Sequence, residues 1–293
     1  MKIGIYGRDF NNTVLPYIQQ VFDCLIQSKA EVYVYDKFYT FISDKLFLPQ
    51  QFQTFSTQTD LKNTLNVLVS LGGDGTMLDT VTLVKNTGIP IIGINFGRLG
   101  FLASINKEGI QRAIDGILNN DFTLDVRSLL EVNSNQKLFG NFNFALNDFT
   151  IHKRDTSAMM LIHCYQDGEF LNSYWADGLI VATPTGSTAY SMSCGGPIVF
   201  PRSGNFVITP ISPHNLNVRP VVLSDSSILT FEIEGRSAKY LVSCDSRTEV
   251  IDSTIKLQIK RASFNINLIR LNNESYLSTL RNKLLWGIDT RNY

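Results

Sequence analysis

The residues best suited to chemistry in this chain are Gly72-Gly73-Asp74-Gly75-Thr76, set between an apolar run, Leu65 to Ser70, and a helix-patterned run from Met77 to Lys85. That order puts an acidic glycine turn where a strand feeds a helix. In open α/β sheets such junctions lie at the carboxyl ends of strands, where ligands bind, and a helix start offers unpaired N–H groups and a partial positive charge. Phosphates are natural guests there. Gly72, Gly73 and Gly75 carry no Cβ and reach φ > 0, so the main chain can come close to a bulky ligand. Thr76 can cap the helix start. Asp74 is out of place beside a phosphate unless a metal ion intervenes or its carboxylate takes up a proton, which makes it a candidate general base. The same residues also suit an ordinary strand-helix turn with Asp74 in solvent. The spacing is not G-x-G-x-x-G, and Gly-Lys-Ser/Thr occurs nowhere in the chain, so a kinase reading requires different machinery from those two nucleotide signatures.

A second donor-rich stretch runs from Asp177 to Pro197, DGLIVATPTGSTAYSMSCGGP. A buried strand enters a turn rich in hydroxyls and glycine, whose backbone N–H groups and Ser/Thr side chains can donate to phosphate or ribose. Tyr190 can offer an aromatic face to a base, and Asp177 can accept from ribose hydroxyls or an amide. By itself the stretch also reads as a capped helix start. Another glycine turn, Asn95 to Leu102, follows the strand-like run Ile89 to Asn95 and can border the same cleft or serve as a hinge.

The elements that must position these turns alternate. Lys2 to Gly7 reads as a strand, Thr13 to Ser28 as a helix with Val14, Ile18, Val21, Phe22 and Leu25 inward and Pro16 in its first turn, and Glu31 to Tyr35 as a second strand. Residues 36–60, rich in Phe and Tyr, give no clear pattern. The third strand feeds the GGDGT turn, and its helix stops near Gly88. Strand-helix alternation implies a mostly parallel sheet. After a helix near Glu108 to Asn119, the pattern from Leu124 to Leu271 is short strands and polar turns, such as Met159 to His163, the turn Gln166 to Glu169, and Ile228 to Ile233. The expected fold is therefore an α/β domain over residues 1–100 and a β-rich domain over 101–272. A last helix within 273–293, with Leu277, Leu280 and Leu284 inward, is expected to pack back on the first domain.

Composition bounds the function. The 293 residues carry 26 Lys and Arg against 26 Asp and Glu and are 44% hydrophobic, so the chain has no overall basic field to recruit nucleic acid or an anionic membrane. Cys24, Cys164, Cys194 and Cys244 form no C-x-x-C pair, and the three histidines make no H-E-x-x-H, which argues against structural zinc. With neither a signal-peptide pattern nor a run of about 18 apolar residues, a cytoplasmic enzyme with reduced thiols is expected.

The blocks GGDGT, Asn95 to Leu102, Ala145-Leu146-Asn147-Asp148, DGLIVATPTGSTAY, and Pro210 to His214 with Arg219-Pro220 occur in the order typical of NAD kinases, and the whole chain closely resembles the prokaryotic members of that family. The resemblance implies transfer of the γ-phosphoryl of ATP to the 2′-hydroxyl of the adenosine ribose of NAD, giving NADP, with a divalent metal such as Mg²⁺, a site between two domains, and a homodimer or homotetramer. Whether polyphosphate also serves as donor is left open. By the same resemblance Asp74 is the proton acceptor, Gly75 lines the dinucleotide, and Asn147 and Asp148 hold ribose hydroxyls. Asp177 and the segment Thr188, Ala189, Tyr190, Ser191, Met192 and Ser193 bind the rest of NAD. Three positions depart from the family pattern: Asp79, Trp175, and Asp245-Ser246-Arg247 in place of Asp-Gly-Gln. Arg247 is a candidate donor in place of that Gln amide, with a fixed charge that suits the phosphate of NADP, or a surface arginine. A lipid kinase of the wider GGDGT group and a non-catalytic dinucleotide-binding module are the alternatives. The first leaves Asp148, Asp177 and TPTGSTAY without a role, and the second has no need of Asp74.

Overall fold

The computed structural model describes residues 1–48, 52–62, 64–97, 100–154, 159–235, 239–272 and 274–285. The chain divides into two compact units, Met1–Val126 with Ile266–Tyr293, and Arg127–Asn265.

In the first unit, β1 (Lys2–Gly7), β2 (Glu31–Tyr35), β3 (Gln53–Phe55), β4 (Val67–Leu71) and β5 (Ile91–Asn95) pair in parallel in the order β5-β4-β1-β2-β3, with β6 (Ile105–Asn106) beside β5. β4 and β5 are buried along their whole length, which is why they read as continuous apolar runs and not as alternating ones. Helices α1 (Leu15–Gln27), α2 (Asp36–Ile42), α3 (Gln58–Leu61), α4 (Asp74–Val84) and α5 (Ile110–Leu118) accompany the sheet. Ile18, Val21, Phe22 and Leu25 of α1 share one core with Ile110, Ala113, Ile114 and Ile117 of α5. That packing extends the unit to Val126, beyond the change of sequence pattern near residue 100. The unassigned connection contains α2, β3 and α3, and helices of seven and four residues are too short to display a helical repeat.

The chain leaves the first unit along β7 (Phe122–Ser134). The second unit is built on antiparallel ladders, with β8 (Phe144–Ala145), β9 (Asp148–Lys153), β10 (Met160–Gln166), β11 (Glu169–Ala176), β12 (Gly178–Ala182), the single-turn helix α6 (Tyr190–Ser193), β13 (Asn205–Ile211), β14 (Val221–Ser224), β15 (Leu229–Gly235), β16 (Tyr240–Cys244), β17 (Arg247–Ile251) and β18 (Leu257–Leu271). One sheet has the order β14-β13-β12-β9-β16-β17. Another run, β11-β10-β15-β18, presents Ile162, Cys164, Phe231 and Leu257 to a core that also holds Phe149, Ile151, Tyr240 and Val242 of the first sheet. The β10–β11 hairpin turns on Asp167 and Gly168, both at positive φ, as a two-residue hairpin favours.

The end of β18 belongs to the first unit, where Leu268 pairs in parallel with Ile91 of β5. Glu274 then ties the chain to Arg112 at 2.6 Å and to Ser104 at 3.4 Å, and Ser275 caps α7 (Tyr276–Leu284). Only Leu280 of the three expected inward leucines is fully buried. Leu277 faces solvent and Leu284 is half-covered, although the three share one face of the helix. The remainder of the expected helix, residues 286–293, lies outside the described residues.

Candidate active site

Asp74 is the first residue of α4, after Gly73 at the N-cap. Its carboxylate does not cap its own helix. It crosses to the second glycine turn, where Oδ2 accepts from the Phe101 N–H at 2.8 Å and Oδ1 accepts from those of Leu102 at 3.1 Å and Ala103 at 2.9 Å. Two glycines allow this approach. Gly72 has φ +139°, and a Cβ on Gly93 would stand 2.7 Å from Cα of Ala103, so β5 leaves room for the turn beside it. α4 is pinned to β4 by Thr80, whose hydroxyl meets that of Ser70 at 2.8 Å. Each carboxylate oxygen has about two acceptor sites, and Oδ2 takes one amide bond where Oδ1 takes two. Gly75 is exposed with open space above it. Arg98 and Leu99 of the second turn lie outside the described residues. Asp79, one of the departures, forms an ion pair with Arg8 at the end of β1.

In the second unit, Asn147 and Asp148 form a corner at the start of β9. Asp245 takes that corner from one side: its carboxylate accepts from the N–H groups of Leu146 (2.9 Å), Asn147 (2.8 Å) and Asp148 (3.3 Å), and its own N–H donates to the Asp148 carbonyl at 3.0 Å. The TPTGST turn takes it from the other. Thr183 donates its N–H to the Asn147 carbonyl at 2.9 Å and its hydroxyl to the Leu146 carbonyl at 2.5 Å, while a Cβ on Gly186 would fall 2.0 Å from the Asn147 carbonyl oxygen. Arg127, itself buried, donates to the Thr185 hydroxyl at 3.0 Å. Three separated sequence motifs thus meet at one backbone corner. Burial and the neighbouring Asp245 charge push the Asp148 carboxyl up to about 7, whereas Asp245 sets three amide hydrogen bonds and Arg247 against its own burial.

The segment 188–193 offers less than its composition suggests. The hydroxyl of Thr188 donates to the Thr185 carbonyl at 3.2 Å and that of Ser191 bonds Thr209 at 2.8 Å, so both are buried and serve the turn itself. Ala189 and Met192 are half-buried, while Tyr190 and Ser193 are exposed. Asp177 stands elsewhere. Asp148 pairs with Ala182 and His152 with Gly178 on the β9–β12 ladder, so Asp177 lies at the opposite end from Asp148, roughly 15 Å away at 3.3 Å per residue. A single ribose cannot touch both. Asp177 forms an ion pair with Lys153 at 2.6 Å. Trp175 is half-exposed, and its carbonyl accepts the His214 N–H at 2.8 Å, joining two further motifs of the sequence. Arg247 turns its guanidinium to backbone carbonyls, an arrangement that no spacing rule foretells.

Comparison with known proteins places this geometry. The ATP-NAD kinase N-terminal domain family matches residues 3–122, and the ATP-NAD kinase C-terminal domain family matches residues 146–271. NAD kinases of Cytophaga hutchinsonii and Flavobacterium psychrophilum are 47% and 46% identical, each over the full length of both chains. Among solved structures, yeast NADH kinase in complex with NADH has a TM-score of 0.89 at 23% identity, covering 99% of this chain and 89% of that one. An Archaeoglobus fulgidus NAD kinase in complex with ATP has a TM-score of 0.75 at 24% identity, covering 97% and 99%. The two structures share the fold, and the full-length identity to the bacterial enzymes settles the rest: the chain belongs to the NAD kinase family.

Proposed function

We propose that this protein transfers the γ-phosphoryl of ATP to the 2′-hydroxyl of the adenosine ribose of NAD, producing NADP, and that it works in the cytoplasm as a homodimer or homotetramer. The observation that carries the reaction is the full-length match to the family, 47% identical to a bacterial NAD kinase without a gap in coverage. Asp74 is the proposed proton acceptor. Phosphoryl transfer passes through a loose transition state with little early demand for negative charge on the attacking oxygen, so positioning carries most of the rate. The remaining acceptor site on Oδ2 orients the 2′-hydroxyl and takes its proton as the new bond forms. Asn147 and Asp148 hold ribose hydroxyls, Gly75 lines the dinucleotide, the exposed Tyr190 and Ser193 meet the adenosine, and Asp177 contacts a different part of NAD. Among the described residues no group of three or more His, Cys, Asp and Glu can cage a metal. A divalent ion such as Mg²⁺, which binds chiefly through substrate phosphates, would neutralise charge on the transferring group.

The test is NADP formation by purified protein with ATP, Mg²⁺ and NAD, read with an NADP-specific dehydrogenase. A donor panel that includes polyphosphate defines the donor. NADP at the level of a no-enzyme blank overturns the assignment.

A further inference from the structure

Arg247 stands on β17, two residues after Asp245, and its side chain is only a quarter exposed. Its planar fork is directed at main chain. Nη1 donates to the Phe142 carbonyl at 2.7 Å, Nη2 to that of Phe144, and Nε to that of Cys244 at 3.2 Å, while the guanidinium lies 5.3 Å from the Phe144 ring centroid. Asp245 binds the next stretch of the same chain through the N–H groups of Leu146, Asn147 and Asp148. One turn therefore presents a cation to the carbonyls of 142 and 144 and an anion to the amides of 146 to 148. Asp245 adopts φ +51° in the turn between β16 and β17, and from this turn its carboxylate and the Arg247 fork both meet residues 142–148.

This pairing has a direct geometric effect. The segment 142–148 enters β9 with Asn147 and Asp148 at its corner, and each of its backbone polar groups named above is satisfied by the Asp245–Arg247 turn or by Thr183. Loss of either charged arm removes hydrogen bonds that hold this stretch, and the corner is then free to shift. We propose that Arg247, together with Asp245, is a positioning residue for Asn147 and Asp148: it sets the affinity for NAD through the backbone of 142–148 and does not itself touch the nucleotide. The inference rests on Asn147 and Asp148 being NAD contacts.

Lysine cannot replace arginine here, since one ammonium lacks the fixed fork that reaches two carbonyls at once. The experiment compares Arg247→Lys, Arg247→Gln, Asp148→Ala and the double variant Arg247→Gln/Asp148→Ala, each measured for KM and kcat with NAD, for KM with ATP, and for thermal midpoint. Arg247→Lys and Arg247→Gln should each raise KM for NAD by about tenfold, the scale of one weakened hydrogen bond to NAD, with kcat and KM for ATP changed less than about twofold. The double variant should be no worse in KM for NAD than Asp148→Ala, because both act on one contact. If Asp148→Ala raises KM for NAD while the Arg247 variants leave it unchanged, the positioning role is overturned and the reading of Asp148 stands. Fully additive effects, or kcat and KM worsening together in step with the thermal midpoint, overturn it as well. An unchanged KM in Asp148→Ala overturns both.

Discussion

A Cβ added to Gly100 would stand 1.8 Å from Oδ1 of Asp74. The proposed base and the second glycine turn are thus one device, since the turn supplies the amides that fix the carboxylate and has no room for a side chain beneath it. Gly100→Ala should displace Asp74 without altering any ionisable group. Turnover is expected to fall by about 100-fold, the cost of a small misplacement at a reacting centre. Calorimetry should show NAD binding within a few-fold of wild type. Near-normal turnover would mean that the carboxylate orientation is unimportant.

Asp74→Asn is a harsher change than near-isosteric size implies. An amide has one acceptor oxygen, so the variant must turn its NH₂ toward the Phe101 N–H or toward those of Leu102 and Ala103. We expect turnover to fall by about 100-fold or more from loss of the proton acceptor. The folded state should also lose on the order of 1–3 kcal/mol from the unmet amide donors. Parallel urea titrations and steady-state rates separate the two effects, and a variant as stable as wild type would contradict the three-amide clamp.

Asp148 gives opposite pH signs for stability and binding. Its folded-state value of about 7 lies above the ordinary 3.8, so the folded protein holds the proton more tightly than the unfolded chain. The stabilisation is full below pH 3.8, declines as pH rises, and is gone above about 7. Binding runs the other way, since ribose hydroxyls donate to an ionised carboxylate. Between pH 8 and 6 KM for NAD should rise in the wild type. Asp148→Asn should gain stability relative to wild type as pH rises from 5 to 8, followed by urea midpoints at each pH. A pH-independent difference would place the titration elsewhere among the groups facing Asp148, which include Asp245, Tyr190 and Cys194.

At the other end of the ladder, Asp177→Ala removes a proposed NAD contact and also leaves the mostly buried ammonium of Lys153 without its carboxylate. It should raise KM for NAD and lower stability by about 1 kcal/mol. Asp177→Asn, which keeps an acceptor for Lys153, should separate the two. Stability of Asp177→Ala equal to that of wild type would show that the ion pair contributes nothing.

For α7, the burial pattern assigns the packing to one residue. Leu280→Ala should destabilise by about 2–4 kcal/mol, whereas Leu277→Ala, at a side chain left about half exposed, should stay within about 0.5 kcal/mol. Denaturant midpoints decide it, and equal effects would contradict the difference in burial.

The legible parts of this molecule were those in which local chemistry and tertiary role coincide. The strand-turn-helix around Asp74 could be read because glycine, apolar runs and helical spacing all act within about fifteen residues. The β10–β11 hairpin could be read because Asp167-Gly168 is itself the turn. The amides of Phe101 to Ala103 on Asp74 were not legible, because an N–H group has no sequence signature and its partner lies 27 to 29 residues away. Nor was Asp245, which stood out only as part of an altered motif, since its partners are backbone atoms nearly a hundred residues earlier. Residues 36–60 failed for a different reason: α2 and α3 are shorter than the period needed to recognise them.

One long strand also affects how the protein is made. During synthesis, β5 emerges with the edge at Ile91 unmatched, and its neighbour Leu268 follows only after the entire second unit has left the ribosome. The sheet that carries Asp74 therefore stays open at one side for most of translation, exposing an apolar edge of the kind that invites pairing with another chain. Completion of the first unit must wait for residues 266–271. Nascent chains stalled before that point should engage chaperones, and they should release them once β18 can close the gap.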